Sequence, residues 1–182
     1  RDRLNPVCLV LAIPTLAVLL GYSYAKRFTS AAHLWLGFAL GIAPIGAWIA
    51  VTGTIDAPAV VLGAAVTFWV AGFDTIYSLQ DESFDRSHGL QSLPARFGPR
   101  GALVIARLLH VFALIGFAAF AVAAGGGWIR MAAVAAAALL MLWQHRLVRA
   151  DDLSAVDAAF FTANGALSVL MCFLFIVAKL IG

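Results

Sequence analysis

Six long apolar runs dominate this sequence and decide which folds are open to it. An α-helix needs about 20 apolar residues to cross a bilayer core, and each run meets or approaches that length. The runs are almost uninterrupted and lack the alternation of a lipid-spanning barrel strand. In lipid, backbone polar groups must be satisfied within the segment. The sequence therefore predicts an all-α integral membrane bundle of six transmembrane helices. Their approximate bounds are 7–24, 33–51, 59–77, 102–124, 128–143 and 158–180.

The composition supports the same fold class. Hydrophobic residues make up 63% of the 182 residues and charged residues 12%, whereas soluble domains contain about 45–50% and about 25%. Water could not solvate a surface so poor in charge. The net charge of +3 is small and does not suggest a nucleic-acid partner. We therefore predict one membrane domain over residues 1–182, with the lipid bilayer as its surroundings.

The basic residues lie in alternate connections between the runs. Connections after the first, third and fifth runs carry Lys and Arg, whereas those after the second and fourth carry none. By the positive-inside rule, the basic connections face the cytoplasm. We expect a multi-pass protein of a bacterial inner membrane, with its active-site loops on the cytoplasmic side. The basic residues are Lys26, Arg27, Arg86, Arg96, Arg100, Arg146 and Arg149.

An acidic segment at the end of the third run does not fit a plain membrane scaffold. Asp74 ends an apolar run, where a carboxylate costs about 2.5–3.5 kcal/mol at full depth on insertion scales. At about 100° per residue of an α-helix, Asp81 and Asp85 lie about 20° to either side of Asp74, and Tyr77 about 60° away. Three carboxylates and a phenol therefore share one helical face. Acids within a membrane are functional candidates.

These carboxylates favour a hard divalent cation. Their pattern contains no Cys or His, and magnesium typically bridges a few carboxylates and a substrate phosphate. One ion cannot reach all three acids, because Asp74 and Asp85 are about 16 Å apart along a helix axis at 1.5 Å per residue. Asp81 and Asp85, one turn apart, can share one ion or hold adjacent ions. The alternative is an acidic helix end solvated by headgroup water.

The acidic segment matches, at all four positions, the second aspartate-rich motif of the UbiA superfamily, DxxYxxxDxxxD. The matching residues are Asp74, Tyr77, Asp81 and Asp85. Segments 22–29, 89–98 and 158–165 also resemble this family, the first of them its YxxxK segment. The resemblance covers essentially the whole chain. It looks closest to the branch of 4-hydroxybenzoate polyprenyltransferases, which is linked to ubiquinone and menaquinone biosynthesis.

The resemblance implies a transferase that works inside the membrane. Such an enzyme moves a polyprenyl group from polyprenyl diphosphate to an aromatic acceptor similar to 4-hydroxybenzoate. Family members resemble one another in having nine helices around a cavity open to lipid, with two aspartate-rich motifs that hold Mg²⁺ against the diphosphate. The resemblance implies that Asp81 and Asp85 hold Mg²⁺ and that Asp74 orients or completes the site. Tyr77 either shields a carbocation through its ring face or packs.

Other residues of the resemblance imply substrate contacts. Lys26 lies about 40° around the helix from Tyr22, and both are expected at the diphosphate, with Arg27 as a weaker candidate. A topology signal explains the Lys-Arg pair equally well. Asn164 either contacts the acceptor or forms an interhelical hydrogen bond. We assign no role to the other polar candidates in apolar runs, because they show no ligand spacing. They are His33, His110 and His145.

One part of the family pattern is missing from these residues. The first motif, NDxxDxxxD, is absent, and no Asn-Asp pair occurs. The motif that is present follows the third helix, whereas it follows the sixth in the family. We therefore expect the six helices to resemble the last six of nine, with three N-terminal helices and half of the metal site missing. We also expect the 182 residues to be inactive by themselves.

Two kinds of alternative function stay open. The motif concerns binding of diphosphate and metal and does not determine the acceptor. A UbiA-type enzyme with a naphthoate-type, homogentisate or haem acceptor is therefore equally compatible with it. Outside the family, an ion-coupled transporter also places acids in membrane helices. Transporters often contain inverted repeats, and none is visible here.

Overall fold

Six long helices follow one another along residues 6–181, the part of the chain that the computed structural model describes. Each overlaps one of the predicted apolar runs, so the all-helical class and the number of long helices are confirmed. A short helix, α4, lies between the third and fourth of them. The helices are α1 (Pro6–Ala25), α2 (Ala32–Thr52), α3 (Ala57–Tyr77), α4 (Glu82–Ser87), α5 (Leu93–Ala123), α6 (Trp128–Leu147) and α7 (Ala163–Ile181).

Membrane length is shared by five helical segments of the described residues. They are Ala32–Thr52, Ala57–Ser87, Leu93–Ala123, Trp128–Leu147 and Ala158–Ile181. The apolar part of α1, Pro6–Tyr22, is shorter. Large apolar side chains such as Leu9, Ile13 and Val169 are mostly exposed. In a membrane protein this exposed apolar surface faces lipid, which does not penalise it.

Each long helix packs against its neighbour in sequence, and α2, α3 and α5 pack most closely. Glycine permits the approach of α2 to α3. A Cβ at Gly37 or Gly41 of α2 would collide with α3 at Thr67 or at the Gly63 carbonyl. Small residues at helix crossings bring backbones together in membranes, where no hydrophobic force acts between helices. The helices form an arc from α1 to α7, with no extensive packing of α1 on α7 among residues 6–181.

Two apolar clusters hold the arc together. The first joins α3, α5, α6 and α7 and includes Ala65, Phe117 and Leu167. The second lies at one end of the bundle and brings the end of α3 against α5 and the segment after α6. Its members include Ile76, Leu79, Ala102, Ala106, Val148 and Val156. The second cluster therefore supports the segment that carries the acidic residues.

Three breaks in helical geometry occur near this end of the bundle. The acidic segment is not one continuous α-helix, because a 3-10 turn at Ser78–Asp81 separates α3 from α4. In α5, Gly98 has φ of 69° and is followed by Pro99, so the helix kinks there. A π-helical turn, Ala158–Thr162, precedes α7. π-turns within helices often mark functional sites.

Candidate functional site

Asp81 and Asp85 converge on one ammonium group. Lys26 follows the last residue of α1, and its Nζ lies 3.2 Å from Asp85 Oδ2 and 3.8 Å from Asp81 Oδ2. The Asp85 side chain is only 2% exposed, whereas that of Asp81 is 54% exposed. A buried carboxylate requires a partner, and Lys26 supplies it for Asp85. The outer carboxylate, Asp81, keeps oxygen atoms open to a ligand.

Asp74 has a different partner, His33, near the start of α2. Asp74 Oδ2 lies 2.7 Å from Nδ1 of the fully buried His33 ring. The other ring nitrogen, Nε2, accepts a hydrogen bond from the backbone N–H of Leu93. Because Nε2 accepts, the proton of the neutral imidazole is on Nδ1, which donates to the Asp74 carboxylate. His33 therefore holds the orientation of Asp74 and ties α2 to the start of α5.

The single helical face predicted for the acids is thus divided into two pairs. The 3-10 turn at Ser78–Asp81 changes the rotation per residue between Asp74 and Asp81 from that of an α-helix. Glu82 forms a separate ion pair with Arg86 at 2.8 Å. Asp81 and Asp85 both contact Lys26, and that they hold a common metal ion stays a prediction.

Two connections close against each other beside these pairs. The backbone N–H of Gln91 donates to the Lys26 carbonyl at 2.7 Å. Nη1 of Arg96 donates to Ser30 Oγ at 3.1 Å, and Ser92 caps α5 by accepting from the Ala95 N–H. These bonds fix the position of Lys26 relative to the segment that carries Asp85. Arg96 therefore has a structural contact in this loop.

The two tyrosines of the predicted site both lie near it. Tyr22 is half-buried and within electrostatic range of Asp74 and Asp81. Tyr77 packs its ring on Phe160, with 4.2 Å between ring centroids. The phenol ring of Tyr77 thus connects the acidic segment to the π-helical turn before α7.

Two other predicted residues lie away from the carboxylates. Arg27 is exposed and stacks over the Tyr24 ring, with 5.5 Å from its Cζ to the ring centroid. Asn164 donates from Nδ2 to the Phe160 carbonyl at 2.7 Å, and its Oδ1 accepts from Gln144 Nε2 at 3.4 Å. Its side chain therefore joins α6 to α7, as the interhelical alternative predicted.

An apolar groove leads away from this end of the bundle. A cavity of about 380 Å³ lies against Phe73, Phe160 and Asn164. A second cavity, of about 550 Å³, continues between α3, α5 and α7. Val66, Trp69 and Ser168 line both cavities, so the two form one groove. Its surface is almost entirely apolar and suits a hydrocarbon chain.

The donor set fits Mg²⁺ chemically. Among residues 6–181, no three His, Cys, Asp or Glu side chains gather around one point. Magnesium is commonly held by only one or two protein carboxylates together with substrate phosphates and water. Asp81 and Asp85 supply two hard carboxylates on either side of the Lys26 ammonium group. The position of Lys26 Nζ shows that a cation between these carboxylates is attracted by both of them.

Fold and site together describe an integral membrane protein with a charged site at the end of an apolar groove. The chain belongs to the UbiA prenyltransferase family, whose model matches residues 3–176. It is similar to the solved apo structure of a UbiA homolog from Aeropyrum pernix K1, with a TM-score of 0.84 and 37% identity. That match covers 97% of this chain and 66% of the other. The predicted family is therefore confirmed.

Curated relatives carry prenyltransferase names. A 4-hydroxybenzoate octaprenyltransferase of Methylobacillus flagellatus is 31% identical over 162 residues, which cover 89% of this chain and 54% of the relative. A 4-hydroxybenzoate solanesyltransferase of Synechocystis is 37% identical over 95 residues, 52% of this chain and 32% of the relative. The chain spans about half the length of the curated octaprenyltransferase relatives that it matches.

His33 is the site residue that sequence reasoning missed. It stands 41 positions before Asp74 and shows no ligand spacing. The only local signal was a polar ring at the start of an apolar run, and no ligand spacing sets it apart from His110, inside a run, or His145, just after one. Its contact with Asp74 depends on the packing of α2 against α3.

Proposed function

We propose that this protein contributes to the transfer of a polyprenyl group from polyprenyl diphosphate to an aromatic acceptor of the 4-hydroxybenzoate type. One observation carries the proposal. A charged cluster of Asp81, Asp85 and Lys26 stands at the same end of the bundle as the mouth of an apolar groove. A polyprenyl diphosphate has a charged head and a long apolar tail and matches both parts.

The charged cluster would receive the diphosphate. Lys26 Nζ has further N–H donors besides the one given to Asp85, and these suit diphosphate oxygen atoms. Asp81 and Asp85 would hold Mg²⁺, which when bound neutralises charge that develops on the diphosphate. Tyr22, within electrostatic range of Asp74 and Asp81, would stand beside the diphosphate. The loop contacts of Gln91 and Arg96 keep this arrangement in place before substrate arrives.

The proposed reaction breaks the C1–O bond of the diphosphate and a ring C–H bond, and it forms a C–C bond and an O–H bond. The C1–O bond of the allylic diphosphate breaks, and its electron pair leaves with the diphosphate oxygen. Stabilisation of that developing negative charge lowers the barrier. An electron-rich ring carbon ortho to the phenol hydroxyl of the acceptor then bonds to C1. The ring proton passes to the departed diphosphate as base, and aromaticity returns.

Aromatic and apolar side chains would protect the cation that forms. Tyr77 and Phe160 stack at the boundary between the acids and the groove, and Phe73 meets Phe160 edge to face. Aromatic faces attract cations, and the apolar lining excludes the water that would convert the cation to an alcohol. The groove of Val66, Trp69 and Ser168 would hold the tail.

The acceptor is proposed from the names of the relatives. Those relatives are named for 4-hydroxybenzoate, which supports that acceptor over naphthoate-type, homogentisate or haem acceptors. Family membership favours prenyl transfer over ion-coupled transport.

The test is an acceptor panel with the complete enzyme. Membranes would receive radiolabelled polyprenyl diphosphate, Mg²⁺ and one of 4-hydroxybenzoate, dihydroxynaphthoate, homogentisate or haem. We expect a labelled lipid product with 4-hydroxybenzoate that disappears when Mg²⁺ is chelated. If a product forms only with one of the other acceptors, that compound replaces 4-hydroxybenzoate as the proposed acceptor. If product formation is undiminished without divalent cations, the proposed Mg²⁺ requirement is wrong.

A further inference from the structure

A cavity rich in arginine lies between α5 and α6, apart from the acidic site. It has a volume of about 600 Å³ and is lined by Arg100 and Arg107 of α5, Arg146 of α6 and Arg149 just after it. Asp151 is the single acid in its lining. This cavity, which we call the arginine cavity, shares no residue with the acids, Lys26 or the apolar groove.

Three of these four arginines lack an acidic partner. Arg149 pairs with Asp151 at 3.4 Å. Over residues 6–181, no ion pair or side-chain hydrogen bond engages Arg100, Arg107 or Arg146, although Arg107 acts electrostatically on His145. Like charges gathered at one cavity repel each other unless an anion joins them. The arginine cavity therefore has an unbalanced positive charge.

The position of Arg107 makes this imbalance more costly. It lies about 13 Å along the helix axis from the kink at Gly98, at 1.5 Å per residue, within a segment of membrane length. Charged side chains inside membrane spans are expensive and usually mark a functional contact. A residue that served only as a topology signal would be expected in the connection, where Arg149 lies.

One member of a histidine pair forms part of the same wall. His145 lines the cavity, and its Nε2 lies 2.9 Å from His110 Nδ1. Nδ1 of His145 is buried and has no hydrogen-bond partner among the described residues. Buried polar atoms without a partner are rare in proteins and call for an explanation such as a polar ligand or water. This is a second observation, independent of the arginines.

The surroundings of the cavity are apolar on its outer side. Val104, Leu108 and Val111 of α5 are more than half exposed, as is Leu142 of α6. These side chains face the region that lipid acyl chains occupy. A ligand with a phosphate head in the cavity and acyl chains along α5 and α6 would satisfy both surfaces.

We propose that the arginine cavity is a binding site for the phosphate of an anionic phospholipid. Arg guanidinium groups bind phosphate through paired, charge-assisted hydrogen bonds, and basic pockets between membrane helices take anionic lipid head groups. Leu103 and Val148 line the cavity and also belong to the cluster that contains Ile76 and Leu79. A bound lipid therefore stabilises the packing beneath the acidic segment.

The test compares lipid binding by variants of the purified protein. Native mass spectrometry would measure binding of phosphatidylglycerol and phosphatidylcholine, and thermal unfolding would be followed with each lipid. We expect wild-type protein to prefer phosphatidylglycerol, and Arg107→Gln and Arg146→Gln each to weaken that preference about tenfold. Arg107→Lys keeps the charge but loses the paired hydrogen-bond geometry, so its preference for phosphatidylglycerol should lie between those of the wild type and Arg107→Gln.

Arg130→Gln is the matched control. It removes one arginine from α6 at the opposite end, where its Nη1 donates to the Gly126 carbonyl, and should keep the preference for phosphatidylglycerol. Arg107→Lys keeps the test decisive if the glutamine variants unfold. Equal preference in all variants would overturn the proposal and leave the arginines as a topology signal. Binding of inorganic phosphate at these arginines without a preference for phosphatidylglycerol would overturn the lipid assignment.

Discussion

Lys26 is the partner that the buried Asp85 and the exposed Asp81 share. Its ammonium group contacts both Asp81 and Asp85, which come from a 3-10 turn and from α4. Glu82 lies directly beside Asp81 in sequence but pairs with Arg86 instead. Neighbouring acids of equal charge therefore differ in their partner, which allows a matched comparison.

We predict that Asp81→Asn and Asp85→Asn in the complete enzyme each lower turnover by about 100-fold or more. Asn keeps the shape of the side chain but removes the charge that a hard cation requires. Glu82→Gln should retain most activity. Steady-state assays with a range of Mg²⁺ concentrations would measure this, with thermal unfolding as a check on folding. If Glu82→Gln inactivated the enzyme equally, the contacts of Asp81 and Asp85 with Lys26 would not distinguish these two carboxylates from a neighbouring acid.

His33 is the residue whose role depends most on hydrogen bonding. His33→Ala should destabilise the protein by about 1–3 kcal/mol, because the Asp74 carboxylate and the Leu93 N–H both lose a partner. His33→Asn should restore part of that loss, since the Asn amide N–H can replace Nδ1–H. Thermal unfolding and turnover would be measured together. Identical losses in both variants would show that the ring packs without holding Asp74.

At the scale of helices, the crossing of α2 and α3 places His33 against Asp74. The two helices approach at glycine, where their backbones nearly touch. A side chain on α2 at these positions would collide with the backbone of α3, which cannot move aside as a flexible side chain can. The bond between His33 and Asp74 thus depends on the absence of side chains elsewhere along the same interface.

We therefore predict that Gly37→Ala destabilises the protein by about 1–3 kcal/mol through overpacking. Gly46→Ala is the matched control, because it lies in the same helix and a Cβ there meets nothing within 4 Å. It should be neutral. Melting temperatures in detergent would measure the difference. Similar melting temperatures for both variants would contradict close packing of α2 on α3.

At the scale of the whole molecule, the ends of the helices form two different surfaces. One carries the acids and most of the arginines, and the other carries the short glycine turn between α5 and α6. The end of α3, the segment after α6 and the first half of α5 meet in one apolar cluster. The segments with basic residues are therefore neighbours in space.

We predict that the end with the acids faces the cytoplasm. Ser87→Cys and Trp128→Cys lie on opposite ends and are exposed in the structure. In intact cells, an impermeant maleimide should label Trp128→Cys, and Ser87→Cys should be labelled only after the membrane is opened. The reverse pattern would invert the orientation.

We also predict that residues 1–182 by themselves lack prenyltransferase activity. One aspartate-rich motif supplies carboxylates to one side of a diphosphate only, and Mg²⁺ sheds its water reluctantly without further ligands. Within residues 6–181, α1 and α7 do not pack extensively on each other, so we expect a cation formed there to be less protected from water than in a closed bundle. Expression alone and beside a three-helix segment with the first motif would be compared. Full activity of the 182 residues alone would show that their metal site is built differently.

The sequence by itself determined the membrane bundle, the long helices and the acidic motif, because each depends on nearby residues. Lipid demands apolar side chains along every helix separately, and the spacing of Asp74, Tyr77, Asp81 and Asp85 is local. Only the tertiary structure decided which partners these acids have. Lys26 lies 59 positions before Asp85, and His33 lies 41 before Asp74.

The arginine cavity shows the same division. Its residues come from two helices and a connection. In the sequence, Arg100, Arg146 and Arg149 indicated only the topology of the chain. Their gathering around one cavity follows from the packing of α5 beside α6. Local spacing is visible in a sequence because a helix repeats regularly. Contacts between helices depend instead on where the helices cross. Close approach at glycine residues, helix kinks and turns together determine these crossing points.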